Sequence, residues 1–221
     1  MTRGEIIAER FREWQEQLKG VEICAVSKTM PPEDVNAVIA AGARHIGENR
    51  VQELLEKLLH LQTGPQIHLI GRLQVNKVKY LPGKVDLIQS VDRAELVREI
   101  EKRFGGANLT ARVLLQVSPA GEPQKGGAAP EELFALAQEC AECPHVQVEG
   151  LMAVMPAAED VQSLRPYFRR MRNLYEELGR ANLPGVKMEI LSMGMSGDCR
   201  IAAEEGANMV RIGRGIFGAR Q

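Results

Sequence analysis

The chain has 221 residues and carries 28 Lys and Arg against 29 Asp and Glu, so its net charge is close to zero. That length suits one large core or two small domains. The charge balance supplies no field for nucleic acid or an anionic surface, and aromatics at 4% leave little to stack on bases.

Met1 to Glu5 runs straight into a charged amphipathic pattern with no apolar signal segment. No apolar run approaches membrane-spanning length. The expectation is a soluble cytoplasmic protein, a monomer, with neither nucleic acid nor membrane as a partner.

Residues 5–18 predict an amphipathic helix, because Ile7, Phe11, Trp14 and Leu18 form one apolar stripe. Strand and helix periods then alternate. A strand over Val21–Ser27 precedes a helix over 32–41, and Ala43–Gly47 precedes a helix over 50–61. Gln66–Gly71 is followed by a short basic helix around 74–80. Val85–Ser90 leads to a helix capped by Asp92, with Glu95 at the capping-box position. Ala111–Val117 ends in the longest loop, 119–130, and Pro130-Glu131-Glu132 opens the next helix. Val146–Val154 precedes a helix over 159–180. Met188–Leu191, a helix over 197–205 and Asn208–Ile212 complete the pattern.

Eight strands with a helix between successive pairs argue for a parallel sheet with right-handed crossovers. The size fits a single-domain (β/α)8 TIM barrel over about 21–218, with an extra N-terminal helix over about 5–18. A doubly wound open sheet is the competing fold, but its first turn is usually Gly-rich, and Ser27-Lys28-Thr29-Met30-Pro31 has no glycine.

The four cysteines do not spell a metal site. Cys24 lies inside the first apolar strand, and Cys140-Ala141-Glu142-Cys143 is a lone CxxC at the end of a helix, with no second pair to complete a zinc site. His45, His60, His68 and His145 show no ligand spacing.

A barrel of this kind works at the carboxyl ends of its strands. There stand Lys28, Glu48-Asn49, Gly71-Arg72, Ser90, Gln116–Ser118, Met152–Met155, Ser192 and Arg211. Lys28 ends an apolar strand. A partly desolvated amine there can attack an aldehyde to form a Schiff base; the alternative is a solvated lysine starting a loop. Ser196 sits where a helix N-cap belongs, and Gly213 and Gly215 let backbone amides approach a ligand closely. Barrels bind phosphate at these two loops, so Lys28 and a cradle across the seam suit a compact phosphorylated aldehyde. The alternative is that Ser196 merely caps its helix and the glycines make turns. Arg211 either disfavours a proton on a ligand ring nitrogen that it faces, or pairs a rim carboxylate such as Glu48.

Several of these segments together resemble the YggS/PROSC family of pyridoxal phosphate homeostasis proteins. They are Ala25-Val26-Ser27-Lys28-Thr29, Gly47-Glu48-Asn49 with Val51-Gln52-Glu53, His68-Leu69-Ile70-Gly71, and Gly150-Leu151-Met152-Ala153. Ser192-Met193-Gly194-Met195-Ser196 and Val210-Arg211-Ile212-Gly213 with Ile216-Phe217-Gly218 complete the set.

The resemblance implies a fold-type III barrel like the N-terminal domain of alanine racemase, with pyridoxal 5′-phosphate held as a Schiff base on Lys28. Ser196 and the amides of Gly213 and Arg214 would hold the phosphate, Arg211 would face the ring nitrogen, and Asn49 would line the pocket. Lys125 is similar to a family lysine without an assigned role. Position 72 is Arg where relatives vary, and position 214 is Arg where some relatives carry a small hydroxylic residue.

The racemases add a β-rich domain that supplies a catalytic tyrosine. This chain runs only three residues past Gly218, and Tyr80, Tyr167 and Tyr175 all fall on predicted helices. The expectation is therefore a cofactor-holding protein rather than an enzyme, delivering to apo-enzymes. The other readings are a small racemase or lyase using the same cofactor, and a sugar-phosphate barrel enzyme that uses the lysine without a chromophore.

Overall fold

The apolar runs become the staves of one closed barrel in a computed structural model that describes residues 1–121 and 126–218. The strands are β1 (Glu22–Val26), β2 (His45–Glu48), β3 (Gln66–Leu69), β4 (Leu87–Val91), β5 (Ala111–Val117), β6 (Val146–Ala153), β7 (Val186–Met195) and β8 (Met209–Ile212). They pair in chain order, all parallel, and β8 closes on β1 with Cys24 opposite Arg211 and Ala25 opposite Ile212.

Helix α1 (Arg3–Gln17) precedes the barrel. The crossovers carry α2 (Pro32–Ala40), α3 (Val51–Leu58), a 3-10 helix over Val75–Tyr80, α4 (Ala94–Gly106), α5 (Leu133–Ala141), α6 (Arg165–Arg180) and α7 (Cys199–Glu204), and α8 (Arg214–Phe217) follows β8. Lys125, singled out in the sequence, lies outside the described residues.

Strand alternation sorts the side chains into two environments. Ile23, Ala25, Ile46, Leu69, Ile88, Val113 and Leu115 face outward and meet the helices, joining Val35, Leu54, Ile100 and Phe168 in one apolar shell. Helix α4 shows how the shell is made: Leu96, Val97, Ile100 and Phe104 sit on one stripe and are all buried. Burying each such side chain contributes about 1.5–3 kcal/mol. The opposite strand face fills the lumen. Leu87, Leu114 and Met152 form a small apolar plug there. Much of the rest of the lumen is polar and buried, including His68, Gln89, Ser192 and Arg211.

Some boundaries depart from the sequence reading. The fifth strand falls where it is expected, over Ala111–Val117. Strand β7 is longer than the expected Met188–Leu191, because Met195 still pairs with Arg211 of β8 across a bulge. Asp92 does not cap α4. The N-cap is Arg93, with no side-chain cap bond, and the Asp92 carboxylate instead accepts from Arg93 Nη1 and from the Gly127 amide. Helix α1 begins at Arg3 with a capping box of Thr2 and Glu5 that the apolar stripe alone did not reveal. The segment at 74–80 is 3-10 rather than α-helical.

Candidate functional site

The carboxyl ends of β1, β2, β7 and β8 bring the sequence-selected residues onto one rim. Strand β1 ends at Val26, and Ser27 to Met30 form a turn closed by the Met30 amide on the Ser27 carbonyl at 2.9 Å. Lys28 stands in this turn, half-buried. Thr29 has φ of 66°, a conformation that a β-branched residue rarely adopts and that must be held from outside.

A buried ionic clamp holds it. Lys57 of α3 donates to the Ser27 carbonyl at 2.7 Å, to Glu48 Oε1 at 2.7 Å and to Glu53 Oε1 at 2.6 Å. Ser27 Oγ donates to the same Glu48 oxygen at 2.5 Å, and the Thr29 amide donates to Glu53 Oε1. The residues on both sides of Lys28 are thus fixed by one ammonium and two carboxylates. Burial pushes the Glu48 carboxyl above its ordinary value, and the bonds from Lys57 and Ser27 oppose that rise.

Sequence reading missed this clamp. Glu53 and Lys57 are four apart on a helix, which resembles a solvated pair until the β1 turn packs over them.

The other side of the seam carries the closing loops. Gly213 lies against β1: a Cβ built on it would come within 3.3 Å of the Val26 carbonyl oxygen, two residues before Lys28. The Gly215 amide donates to Ser196 Oγ at 3.3 Å, which joins the loop after β7 to the start of α8. Ile216 and Phe217 amides both return to the Gly213 carbonyl, so the Arg214 amide at the helix start has no acceptor within the turn. The Arg214 side chain is exposed. Gly215 has no room for a side chain, since a Cβ would sit 2.6 Å from the Trp14 indole nitrogen. The extra helix α1 therefore backs this loop.

Ser196 is not a helix cap. Helix α7 begins at Cys199 with Asp198 at its N-cap, and Asp198 is buried with Oδ1 accepting from the Met195 amide at 2.6 Å. It braces the loop from within rather than pointing outward, and burial raises its pKa. Ser196 is left free to meet the Gly215 amide.

Arg211 projects inward from β8 and is 5% exposed. Its Nη1 donates to the Ser192 carbonyl at 2.8 Å and to Ser192 Oγ at 2.7 Å, and its Nη2 donates to the Ala153 carbonyl at 2.7 Å. All three partners are neutral. The expected alternative, a pair with Glu48, does not form, because Glu48 is taken by Lys57. Burial lowers the Arg211 pKa to about 10, so the guanidinium still carries its charge at neutral pH.

Asn49 follows β2 on the rim, with its backbone against Gly71: a Cβ there would meet the Asn49 carbonyl oxygen at 2.2 Å. Among the described residues its Oδ1 is buried without a hydrogen-bond partner, as are Ser90 Oγ and Glu48 Oε2. Buried polar atoms without a partner are rare in native interiors, so the Asn49 oxygen calls for a partner from outside the chain.

The CxxC does not join this rim. Burial pushes the Cys140 thiol up to about 12 and raises Cys143 as well, which disfavours thiolate chemistry.

A closed parallel barrel with these loops is of the alanine racemase N-terminal kind. A family model described as "Alanine racemase, N-terminal domain" matches residues 5–221. The chain belongs to that family and, within it, to the pyridoxal phosphate homeostasis proteins. A relative of that name from Aquifex aeolicus is 46% identical over 97% of this chain and 96% of its own. The solved structure of PipY from Synechococcus elongatus with PLP bound superposes with a TM-score of 0.88 at 34% identity, covering 96% of this chain and 100% of that one. Alanine racemase from Corynebacterium glutamicum shares the barrel alone, with a TM-score of 0.82 at 13% identity over 98% of this chain and 62% of that one. Among the described residues no helix is long and apolar enough to cross a membrane, and no cluster of three or more His, Cys, Asp or Glu could hold a metal.

Proposed function

We propose that this chain binds pyridoxal 5′-phosphate reversibly through Lys28 and serves cofactor homeostasis rather than catalysis. The observation that carries the reading is the seam itself. A clamped lysine turn on β1 lies beside Gly213, and the Gly215 amide and Ser196 hydroxyl already meet there. PipY, with PLP bound, supports the same ligand class.

The residues present fit the group. Lys28 supplies the amine for the aldehyde carbon, and the Lys57–Glu48–Glu53 clamp orients its turn. Ser196 and the amides of Gly213 and Arg214 take the phosphate, where the glycines allow close backbone approach. The orphaned Asn49 amide finds its partner on the ligand. Arg211 meets the ring nitrogen and keeps it unprotonated, because a second positive charge next to a fixed guanidinium is disfavoured. When bound, the cofactor supplies an electrophilic aldehyde and an electron-drawing ring. An unprotonated ring draws electrons less strongly, which favours holding the cofactor over amino-acid chemistry.

The tyrosines support that preference. Tyr167 and Tyr175 lie on α6, the Tyr175 hydroxyl donating to the Met188 carbonyl, and Tyr80 ends the 3-10 helix. We place the protein in the cytoplasm as a monomer, with apo-enzymes as its recipients.

The test is uptake of pyridoxal 5′-phosphate against unphosphorylated pyridoxal. Wild-type protein turns yellow and prefers the phosphorylated form at least about tenfold, the scale of one charge-assisted contact. Lys28→Ala stays colourless. Equal binding of both aldehydes defeats the cradle. A loaded protein that brings solvent deuterium to the α-position of an amino acid at turnover rates supports the racemase reading instead.

A further inference from the structure

Six polar side chains in the lumen are linked end to end, and each link fixes the direction of the next. Arg211 Nη1 donates to Ser192 Oγ at 2.7 Å. The Ser192 hydroxyl keeps its own hydrogen and donates it to Gln89 Oε1 at 2.8 Å. Gln89 Nε2 then faces His68 Nδ1 at 2.8 Å and Met209 Sδ at 3.4 Å. A reversed amide would set its oxygen against that sulfur and leave the Ser192 hydrogen without its acceptor, so the orientation is fixed.

Because His68 Nδ1 accepts, the His68 proton sits on Nε2, which faces His45 Nδ1 at 3.2 Å. That in turn places the His45 proton on Nε2, which faces Glu22 Oε2 at 3.4 Å. The other Glu22 oxygen accepts from Arg44. Every donor points the same way, from the guanidinium on β8 through β7, β4, β3 and β2 to a carboxylate on β1.

Aligned bonds of this kind polarise one another in a low-dielectric interior. The line begins at a buried cation whose hydrogen-bond acceptors among the described residues are all neutral. It ends in a cleft of about 500 Å³ on the amino-terminal face, lined by Glu22, Arg44, His45 and Arg112 among others.

We propose that Ser192, Gln89, His68 and His45 are positioning residues for Arg211, a one-directional relay anchored at Glu22 that holds the guanidinium at the cofactor face. The proposal rests on the reading that Arg211 meets the cofactor ring. The relay itself is a property of the chain alone and is tested separately.

In ligand-free protein, ¹⁵N NMR of the imidazole rings reports the tautomers directly. Both His45 and His68 are expected to be neutral with the proton on Nε2 near neutral pH. A proton on Nδ1 of either ring overturns the relay.

In loaded protein, His68→Leu ends the line, while His68→Gln keeps one acceptor towards Gln89 and one donor towards His45. His68→Leu should shift the absorption band of the bound cofactor and weaken its binding about tenfold, and His68→Gln should restore both to within about twofold. Ser192→Ala, which removes a small group from the lumen, should behave as His68→Leu does if the leucine fails to fold. An unchanged band and affinity in both His68→Leu and Ser192→Ala overturns the positioning role. Wild-type protein that takes up no cofactor at Lys28 defeats the parent reading, and the tautomers then decide the relay by themselves.

Discussion

Lys57 and Arg211 are both buried cations in the upper half of this barrel, and they are held in opposite ways. Lys57 sits between two carboxylates and a carbonyl, so its charge is spent inside the protein. Arg211 makes three hydrogen bonds of similar length, all to uncharged oxygens of Ser192 and Ala153. A buried charge is costly unless it is paired. The paired cation is therefore architecture, and it clamps the turn that presents Lys28. Arg211, which among the described residues hydrogen-bonds no carboxylate and feels Asp198 only through space, keeps a field that a ligand can use. The difference lies in the partners and not in burial, since both residues are almost fully shielded, at 7% and 5% exposed.

That contrast predicts unequal costs of removal. Lys57→Met leaves Glu48, 2% exposed, without its counter-charge. Breaking a buried pair in this way costs about 3–5 kcal/mol. Urea unfolding should show that loss, and the added change Glu48→Gln should recover a large part of it. A Lys57→Met protein as stable as wild type would erase the distinction between the two cations.

The next effect belongs to the relay behind Arg211. Burial, with His45 and Arg112 nearby, pushes the His68 pKa down to about 3. The unfolded chain takes up a proton near the ordinary value of 6.5, whereas the folded chain does not. The contribution of neutral His68 is therefore complete above pH 6.5 and is lost as pH falls towards 3, on the order of 5 kcal/mol. The groups reached through this ring are His45, Glu22, Arg44 and Arg112. His68→Gln should flatten that part of the stability profile, and an unaltered slope would place the acid sensitivity elsewhere.

Arg211→Met is the smallest change for the fold. Removing the guanidinium forfeits bonds to three oxygens and a through-space attraction to Asp198, but also ends the burial of a charge without a hydrogen-bonded counter-ion. Stability should move by less than about 1.5 kcal/mol. The ligand should feel it far more, through a shifted cofactor band and faster release. A large stability loss with unchanged cofactor binding would make Arg211 as architectural as Lys57.

The barrel was legible because its strands are apolar runs with clear turn chemistry between them, and β5 appears where the pattern ends at Val117. Arg211 and Gly213 were legible for a related reason. Arg211 is a charge at an inward position of the last strand, and Gly213 is a missing side chain just past its end, both conspicuous beside an apolar run.

The clamp was hidden because Lys57 looks solvated on its own helix. Its burial comes from the approach of the β1 turn, a tertiary event. The relay was hidden because His45, His68, Gln89 and Ser192 lie on four different strands, and only the barrel sets them side by side. Asp92 misled because its carboxylate found Arg93 and the Gly127 amide instead of the helix start. Ser196 misled as a helix cap: α7 starts at Cys199 with Asp198 at its N-cap, and the Ser196 hydroxyl meets the Gly215 amide instead.

One experiment addresses the core of the proposal. Purified protein is loaded with pyridoxal 5′-phosphate, reduced with borohydride, digested and mapped by peptide mass. The account predicts a single pyridoxyl adduct, on Lys28, accompanied by bleaching of the yellow colour. An adduct on another lysine, or no adduct in protein that has been loaded and washed, would contradict it.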